Sequence, residues 1–232
     1  MVFDNHTHTT ISNLRLLDCI NDPIQLIDKA IELGLAGIAI TDHEALCAHM
    51  DVNEYAKKLQ ETHPEFTVAL GDEIYLTDTR DKGQKYYHFI LIAKDAIGHR
   101  CLRELSTKAW LNSYYDRGME RVPLLKEELE SIYSRFRGHL IATTACLGGE
   151  LGTSVLNLID CENALDTINA QRYHNQIAVF LEYCLDLFGD DFYIEVAPAK
   201  SKDQIAANKR FAMIAKAFGI KMCVGSDSHY LR

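Results

Sequence analysis

The segment DPIQLIDKAIELGLAGIAITDH, residues 22–43, decides the fold. Asp22 can cap a helix, Pro23 suits the first helical position, and Gly34 can end the helix. Between them the apolar residues recur every three or four positions, which indicates a helix with one buried face. The β-branched run Gly37–Thr41 follows directly and predicts a strand. The segment therefore predicts a helix followed directly by a buried strand.

The same alternation continues along the whole chain and is typical of βα units around a parallel sheet. The predicted strands are Met1–Asn5, Gly37–Thr41, Thr67–Ile74, Tyr87–Ala93, His139–Thr143, Phe192–Val196 and Lys221–Gly225. The predicted helices after the first are Ala45–Glu61, Ile97–Leu111, Leu124–Arg135, Asn157–Phe188 (broken once) and Ser201–Phe218. Without a linker or a repeat, the pattern predicts a single α/β domain over residues 1–232, either an open doubly wound sheet or a closed barrel.

Composition restricts the classes of function. The chain has 232 residues, 47% of them hydrophobic, and a formal net charge of −9, which disfavours gripping a phosphate backbone by bulk electrostatics. The sequence has no long apolar run and no secretory signal, so we expect a cytoplasmic protein without a membrane partner. Its 7 cysteines include no Cys-x-x-Cys pair, which argues against a disulfide framework or a zinc finger.

Reactive side chains follow or lie in every predicted strand. They are His6, His8, Asp42, His43, Asp72, Glu73, His88, Cys146, Glu195, Asp227 and His229. Any one of them alone is more often a hydrogen-bonded, buried or solvated residue. Their joint placement favours a barrel, because the carboxyl ends of barrel strands meet at one face. The other histidines lie in predicted helices or loops or at the start of a strand and carry no such prediction: His49, His63, His99, His139 and His174.

This set of residues predicts a metal site. So many imidazoles and carboxylates exceed what a single tetrahedral zinc accepts, which indicates two or three divalent ions. Mixed nitrogen and oxygen donors suit zinc, manganese or iron. Such sites generate hydroxide near neutral pH and bind the oxygens of a phosphoryl group, so the leading chemistry is metal-assisted phosphoester hydrolysis.

Six motifs in order give the chain a family resemblance. They are His6-x-His8, Thr41-Asp42-His43, Gly71-x-Glu73, Tyr86-Tyr87-His88, Cys146-Leu-Gly-Gly-Glu150 and Asp227-x-His229-Tyr-Leu. The series resembles the PHP (polymerase and histidinol phosphatase) superfamily, and more narrowly the N-terminal PHP domain of the bacterial DNA polymerase III alpha subunit. That resemblance implies a distorted (β/α)7 TIM-like barrel with a trinuclear metal site.

The resemblance also implies the individual ligands. The positions that match are His6, His8, Asp18, His43, Glu73, His88, Cys146, Asp227 and His229. Asp227 or His229 would in addition assist proton transfer. Two features depart from the family pattern: three extra residues precede Asp18, and Asp72 stands where the family often has cysteine. The insertion 112–121 holds aromatic and basic residues, and Arg117 and Arg121 are the candidates for holding substrate phosphate.

Three functions remain open from the sequence. The first is a 3′–5′ exonuclease acting on DNA ends, as the polymerase resemblance implies. The second is a small-molecule phosphatase such as histidinol phosphatase. The third is a metal-stabilised structural or interaction module that docks replication proteins. The sequence also leaves open whether the chain is an excised polymerase domain or a stand-alone homologue.

Overall fold

A nearly closed, barrel-like sheet surrounded by helices forms the protein. The computed structural model describes residues 2–15, 17–81, 83–116 and 118–230. The strands are β1 Phe3–Thr7, β2 Gly37–Ile40, β3 Thr67–Thr77, β4 Tyr87–Ala93, β5 Tyr114–Asp116, β6 Met119–Arg121, β7 Pro123–Leu125, β8 Leu140–Thr143, β9 Phe192–Val196 and β10 Lys221–Val224. The helices are α1 Pro23–Glu32, α2 His49–Leu59, α3 Ala96–Leu111, α4 Lys126–Tyr133, α5 Glu150–Asn163, α6 Thr167–Phe188 and α7 Lys202–Phe218, with 3₁₀ turns at Thr10–Leu14 and Gly189–Asp191.

Seven strands pair in the order β1-β2-β3-β4-β8-β9-β10, and β7 pairs with the end of β3. The last strand returns to the first. Backbone hydrogen bonds join Asp227 N–H to the His6 carbonyl and His8 N–H to the Ser228 carbonyl, each at 3.0 Å. These bonds draw the two edges of the sheet together, so the closed-barrel alternative is confirmed over the open sheet.

One strand runs against the prediction of an all-parallel barrel. β4 is antiparallel to both of its neighbours, β3 and β8, whereas the other pairings of the barrel path between β1 and β10 are parallel. The physical reason is the short connection from β3 to β4, because a crossover to a parallel strand needs a dozen or more residues. The reversal places the start of β4, rather than its end, at the carboxyl face of the barrel. His88 therefore reaches that face from the second residue of its strand.

The helices follow the sequence closely where their capping signals are clear. In α1, Asp22 accepts hydrogen bonds from the backbone N–H groups of Ile24 and Gln25, and Pro23 occupies the first turn. Residues 43–48 are not helical, contrary to the expected start at Ala45, because Glu44 adopts a left-handed φ of 46° as the chain leaves β2. The long helical pattern is broken once, as expected, but its first half begins earlier, at Glu150.

The insertion 112–121 contains a two-stranded hairpin. β5 and β6 pair antiparallel with Tyr114 opposite Arg121, and Gly118 takes a positive φ of 79° at the turn. Arg117, one of the two predicted substrate residues, lies outside the described residues. Within the described ranges, no helix combines the length and the apolar character needed to cross a bilayer.

Candidate metal centre

The carboxyl face of the barrel collects five of the predicted residues around one carboxylate. His6 lies in β1 and His8 directly follows it, His43 follows β2, Glu73 lies within β3, and His88 opens β4. We call these five residues the Glu73 cluster. The side chains of His6, His8 and Glu73 are completely buried. Strand geometry brings His6 and His8 to the same side, because alternate residues of an extended chain share a face.

Glu73 is the hub of this cluster. Its Oε1 lies 2.8 Å from His88 Nδ1 and 3.4 Å from His6 Nε2. Its Oε2 lies 3.7 Å from His8 Nε2 and pairs closely with His43 Nδ1. One carboxylate thus faces four imidazoles, which is the arrangement of a bridging ligand between neighbouring cations. Among the described residues, three groups of donors are close enough to share an ion: His8, His43 and His229; His6, His8 and Glu73; and His43, Glu73 and His88.

A buried glutamate fixes the orientation of His6. The His6 Nδ1 lies 2.7 Å from Glu195 Oε1, and the other oxygen of Glu195 accepts a hydrogen bond from Thr143 Oγ1 at 2.6 Å. Because the carboxylate accepts the Nδ1 proton, the Nε2 atom of His6 faces the cluster, 2.9 Å from His8 Nε2. A carboxylate behind a ligating histidine is the usual outer partner in metal sites.

A second relay fixes His8. The Ser12 hydroxyl donates to Asp42 Oδ1 at 2.7 Å, and it lies 3.0 Å from His8 Nδ1. Asp42 is itself held by hydrogen bonds from Thr9 N–H and Thr9 Oγ1. Because Ser12 gives its only proton to Asp42, it must accept from His8 Nδ1–H. The Nε2 lone pair of His8 is thereby left for a cation.

The remaining predicted ligands lie on the more open side. Asp227 is 31% exposed, and its Oδ1 lies 3.2 Å from His8 Nε2 and 3.6 Å from His229 Nδ1. Asp18 is 38% exposed and lies 3.7 Å from His229 Nε2. Cys146 Sγ lies 3.7 Å from His88 Nδ1 and accepts from Gly148 N–H at 3.4 Å. All nine predicted positions thus gather at one face, although Asp18, Cys146 and Asp227 stand outside the three tightest donor groups.

The charge balance of the cluster favours a cation. Burial alone would raise the pKa of Glu73, but the imidazoles of His88, His43 and His6 outweigh burial and hold that pKa well below its usual range. Burial lowers the pKa of His8 to about 4, which keeps this imidazole neutral. Burial also opposes charge on His6, yet Glu195 and Glu73 overcome it and raise the pKa of His6 well above its ordinary value. Glu73 therefore carries its negative charge at the centre of the cluster.

Buried nitrogen and oxygen atoms without hydrogen bonds show whether metal ions fit these residues. Both carboxylate oxygens of Glu73 and both ring nitrogens of His43 are buried and make no hydrogen bond within the described structure. Buried polar atoms are ordinarily paired, and leaving them unpaired costs free energy. Neutral imidazole nitrogens and carboxylate oxygens are donors for zinc, manganese and iron. Divalent cations fit both the donor chemistry and the unpaired atoms.

Sequence reasoning missed the supporting roles around this centre. Glu195 stood among the strand-associated residues but not among the nine expected ligands, and Ser12 carried no prediction. The contact of Glu195 with His6 spans 189 positions of chain, and the role of Ser12 depends on its hydrogen bond to Asp42, 30 positions away, so no local motif reveals either. Asp72 is buried beside Glu44 and Asp42, away from the three donor groups. His49 lies outside the centre and is hydrogen-bonded to His99 and to the Gly71 carbonyl.

Arg121, the second predicted substrate residue, lies close to the centre but does not enter it. It donates to the hydroxyl of Tyr86 at 2.6 Å, and Tyr86 packs edge-on against Tyr75. The ring of Tyr75 in turn stacks on His43 with centroids 5.9 Å apart. A continuous line of side chains therefore joins the hairpin to the Glu73 cluster.

The protein is an α/β barrel. Its histidines and carboxylates converge at the carboxyl face, where they form a candidate multinuclear metal centre. The chain belongs to the PHP domain family, whose model matches residues 4–199. This match confirms the family resemblance stated by the sequence motifs.

The chain is similar in sequence to parts of much longer proteins that are DNA polymerases by name. It is 40% identical to a DNA-directed DNA polymerase of Bacillus phage SPbeta over 98% of this chain. It is 29% identical to the DNA polymerase III alpha subunit of Borreliella burgdorferi and 30% identical to that of Aquifex aeolicus, each over 97% of this chain. The chain spans only 18% of the length of each of these relatives.

Solved structures confirm the architecture. A Bifidobacterium adolescentis protein assigned as a metal-dependent phosphoesterase superposes over 99% of this chain and 88% of its own, with a TM-score of 0.57 and 15% identity. An amidohydrolase from Chromobacterium violaceum matches over the same shares with a TM-score of 0.57 and 14% identity. At these identities the likeness concerns the fold.

Proposed function

We propose that this PHP domain is a metal-dependent phosphoesterase that hydrolyses phosphodiester bonds at DNA 3′ ends. The observation that carries the proposal is the Glu73 cluster, in which one buried carboxylate faces four imidazoles within 3.7 Å. The DNA substrate is suggested by the relatives, which are DNA polymerases by name.

The proposed metal set is a trinuclear site with three divalent ions of zinc, manganese or iron. The residues proposed to hold them are His6, His8, Asp18, His43, Glu73, His88, Cys146, Asp227 and His229. When bound, such ions supply a hydroxide near neutral pH and electrophilic contacts to the phosphoryl oxygens. Glu195 and Ser12 act as positioning residues, because they hold His6 and His8 with their Nε2 atoms toward the centre.

Asp227 and His229 are the residues proposed to handle protons at the open side. His229 Nδ1–H donates to the Asp227 carbonyl at 2.9 Å, which leaves Nε2 as its free proton acceptor or donor. In this role His229 Nε2, when it does not ligate an ion, would take a proton from the attacking water and pass it to the leaving 3′ oxygen, while the Asp227 carboxylate would hold that water in place.

The proposed domain spans residues 1–232, beyond the 4–199 of the family match. α7 and β10 lie past residue 199, yet β10 pairs with β9 and its following loop closes the barrel against β1. That same loop carries Asp227 and His229. The segment is thus needed both for the closure and for the centre. In the cell we expect replication proteins as partners and the cytoplasm as the location.

The decisive experiment measures bound metal and 3′-end cleavage on the same protein. We expect stoichiometric divalent metal by elemental analysis and manganese- or zinc-dependent shortening of a labelled single strand from its 3′ end. The double variant His6→Ala/His8→Ala should lose both properties. The matched control is His63→Ala/His174→Ala, which removes two exposed histidines outside the centre. This variant should keep both the bound metal and the cleavage activity.

The alternatives predict different outcomes. Faster hydrolysis of histidinol phosphate or another small monoester than of the oligonucleotide would favour a small-molecule phosphatase. Bound metal without hydrolysis of any phosphoester, together with capture of a polymerase or exonuclease in a pull-down, would favour a structural module. Metal-free protein, or full activity in His6→Ala/His8→Ala, would overturn the proposed function.

A further inference from the structure

Two arginines lie at the ends of a row of tyrosines beside the candidate metal centre. The Arg15 guanidinium carbon lies 5.6 Å from the ring centre of Tyr75, and that of Arg121 lies 5.7 Å from the ring centre of Tyr86. The two tyrosine rings meet edge to face with centroids 5.3 Å apart. We call Arg15, Tyr75, Tyr86 and Arg121 the arginine–tyrosine row.

The row is in direct contact with the Glu73 cluster. Tyr75 stacks on His43 at 5.9 Å and packs edge-on against His88 at 5.2 Å between ring centroids. His88 is one of the more exposed members of the cluster, with a quarter of its side chain accessible. The row therefore extends outward from the side of the centre that solvent can reach.

Both arginines keep their charge available. Neither forms one of the ion pairs found among the described residues, unlike Arg80, Arg100, Arg135 and Arg210. Arg15 also contacts the ring of Trp110 at 5.7 Å, and its Nε is buried without a hydrogen bond. Arg121 is held by the Tyr86 hydroxyl, a neutral group that leaves its charge uncompensated. Arg15 interacts electrostatically with the buried Glu44 but forms no close ion pair among the described residues, so both guanidinium groups can accept an anionic partner.

We propose that Arg15 and Arg121 bind the phosphates that flank the one at the metal centre, so that the site takes a polynucleotide end rather than a phosphate monoester. This inference rests on the proposed phosphoesterase function. A monoester has a single phosphate, which the metal centre itself would hold. Guanidinium groups placed beside that centre serve only a substrate with further phosphates along its backbone. The partly exposed ring of Tyr86 next to Arg121 suits an unstacked base, as in other single-strand sites.

Tyr86 is the positioning residue of the row. Its hydroxyl holds the Arg121 guanidinium, and its ring lies under the same group. Arg15 has no equivalent hydroxyl partner and is placed instead between the rings of Tyr75 and Trp110. Stacked guanidinium groups lose little freedom on binding an anion, because their planes are already oriented.

Binding is tested separately from cleavage. Fluorescence anisotropy with a labelled single strand, made resistant by phosphorothioate linkages at its 3′ end, reports affinity in the presence of manganese. We expect Arg15→Gln and Arg121→Gln each to weaken binding about tenfold, the effect of one charge-assisted contact. The slope of log affinity against log salt should fall by about 0.7 for each lost phosphate contact on a single strand. Tyr86→Phe should weaken binding less and leave that slope unchanged.

The matched control is Arg172→Gln, since Arg172 lies over Tyr173 at 5.9 Å on α6 and loses the same charge and the same kind of ring contact. It should bind as the parent does. Hydrolysis of a small diester, bis(p-nitrophenyl) phosphate, should fall much less in Arg15→Gln and Arg121→Gln than oligonucleotide binding does. Arg15→Lys keeps the charge but not the guanidinium packing, so its binding should show the same salt slope as the parent. Metal content and circular dichroism check that each variant is folded and loaded.

The outcomes distinguish this inference from the function on which it rests. Three results would overturn the inference. They are a parent protein that fails to bind the oligonucleotide, arginine variants that both bind it as tightly as the parent, and an Arg172→Gln variant whose binding is weakened as much as theirs. Loss of small-diester hydrolysis in step with oligonucleotide binding would also overturn it, since that pattern marks structural damage. A parent protein that binds the strand through these arginines but cleaves no phosphoester would instead overturn the proposed function alone.

Discussion

At the scale of single residues, the candidate centre depends on groups that never face a cation. Glu195 and Ser12 each contact the Nδ1 atom of one histidine and so decide which nitrogen faces inward. The motif His6-Thr7-His8 supplies the imidazoles. Glu195 and Ser12 determine which ring nitrogen of each histidine carries the proton. Outer partners of this kind usually matter for metal affinity almost as much as the ligands do.

Removing the charge behind His6 should therefore weaken metal binding. Glu195→Gln keeps the side-chain shape but replaces the carboxylate that accepts the Nδ1 proton. We expect metal affinity to fall by about 10- to 100-fold, measured by competition with a chelator of known affinity. The control Glu182→Gln removes an exposed carboxylate on α6 and should leave affinity unchanged. Equal affinities in the parent and Glu195→Gln would show that the glutamate has no influence on the ions.

The limit of sequence reasoning at this scale follows from distance along the chain. Metal-type residues such as His43 and His88 stood out because each accompanies a predicted strand. Arg15 offered no such signal, because its position over Tyr75 depends on how the 3₁₀ turn after β1 packs against β3. Contacts between segments remote in sequence are set by packing, and local patterns do not encode them.

At the scale of secondary-structure elements, the ends of the strands position the side chains of the candidate centre. The sequence predicted the seven barrel strands with small errors in their bounds, since buried β-branched runs are clear signals. It did not reveal that β4 is reversed, because an apolar run has the same pattern in either direction. The reversal nevertheless places His88 where the motif required it, next to Glu73.

Gly225 shows how closely two strand ends approach at the centre. A methyl group at this position would collide with the Glu195 carboxylate and lie 2.7 Å from His6 Cβ. We expect Gly225→Ala to destabilise the fold by about 1–3 kcal/mol, the usual cost of overpacking, measured by urea unfolding. In a Glu195→Ala background the same substitution should cost less, because the main obstacle is gone. An equal cost in both backgrounds would contradict the steric explanation.

The cap of α1 offers a prediction away from the centre. Asp22 Oδ1 accepts from Ile24 N–H at 2.9 Å and from Gln25 N–H at 3.1 Å. Asp22→Ala should lower the free energy of unfolding by about 1 kcal/mol, because it leaves two helix N–H groups without this acceptor. Asp22→Asn keeps an acceptor oxygen and should lose less. Metal content should stay the same in both variants, and a loss of metal would mean that α1 influences the centre.

At the scale of the whole molecule, the candidate centre and the barrel seam coincide. Residues of the centre extend from His6 near the start of the chain to His229 near its described end. The backbone bonds that close β10 against β1 belong to His6, His8, Asp227 and Ser228, three of which are proposed ligands. Ions bound there would tie together the first and last strands. They would also offset much of the acidic charge at the barrel mouth, so DNA binding should be metal-dependent and only weakly sensitive to salt.

Metal binding should therefore stabilise the entire barrel rather than one loop. A ligand that binds only the folded state at 100 times its dissociation constant adds about 2.7 kcal/mol, which for a chain of this size raises Tm by about 5–10 °C. We expect manganese or zinc to raise the Tm of chelator-treated protein by this order in scanning calorimetry. His6→Ala/His8→Ala should show no rise, whereas His63→Ala/His174→Ala should show the full rise. A Tm indifferent to metal in protein that carries stoichiometric ions would mean that the ions do not join the two ends of the sheet.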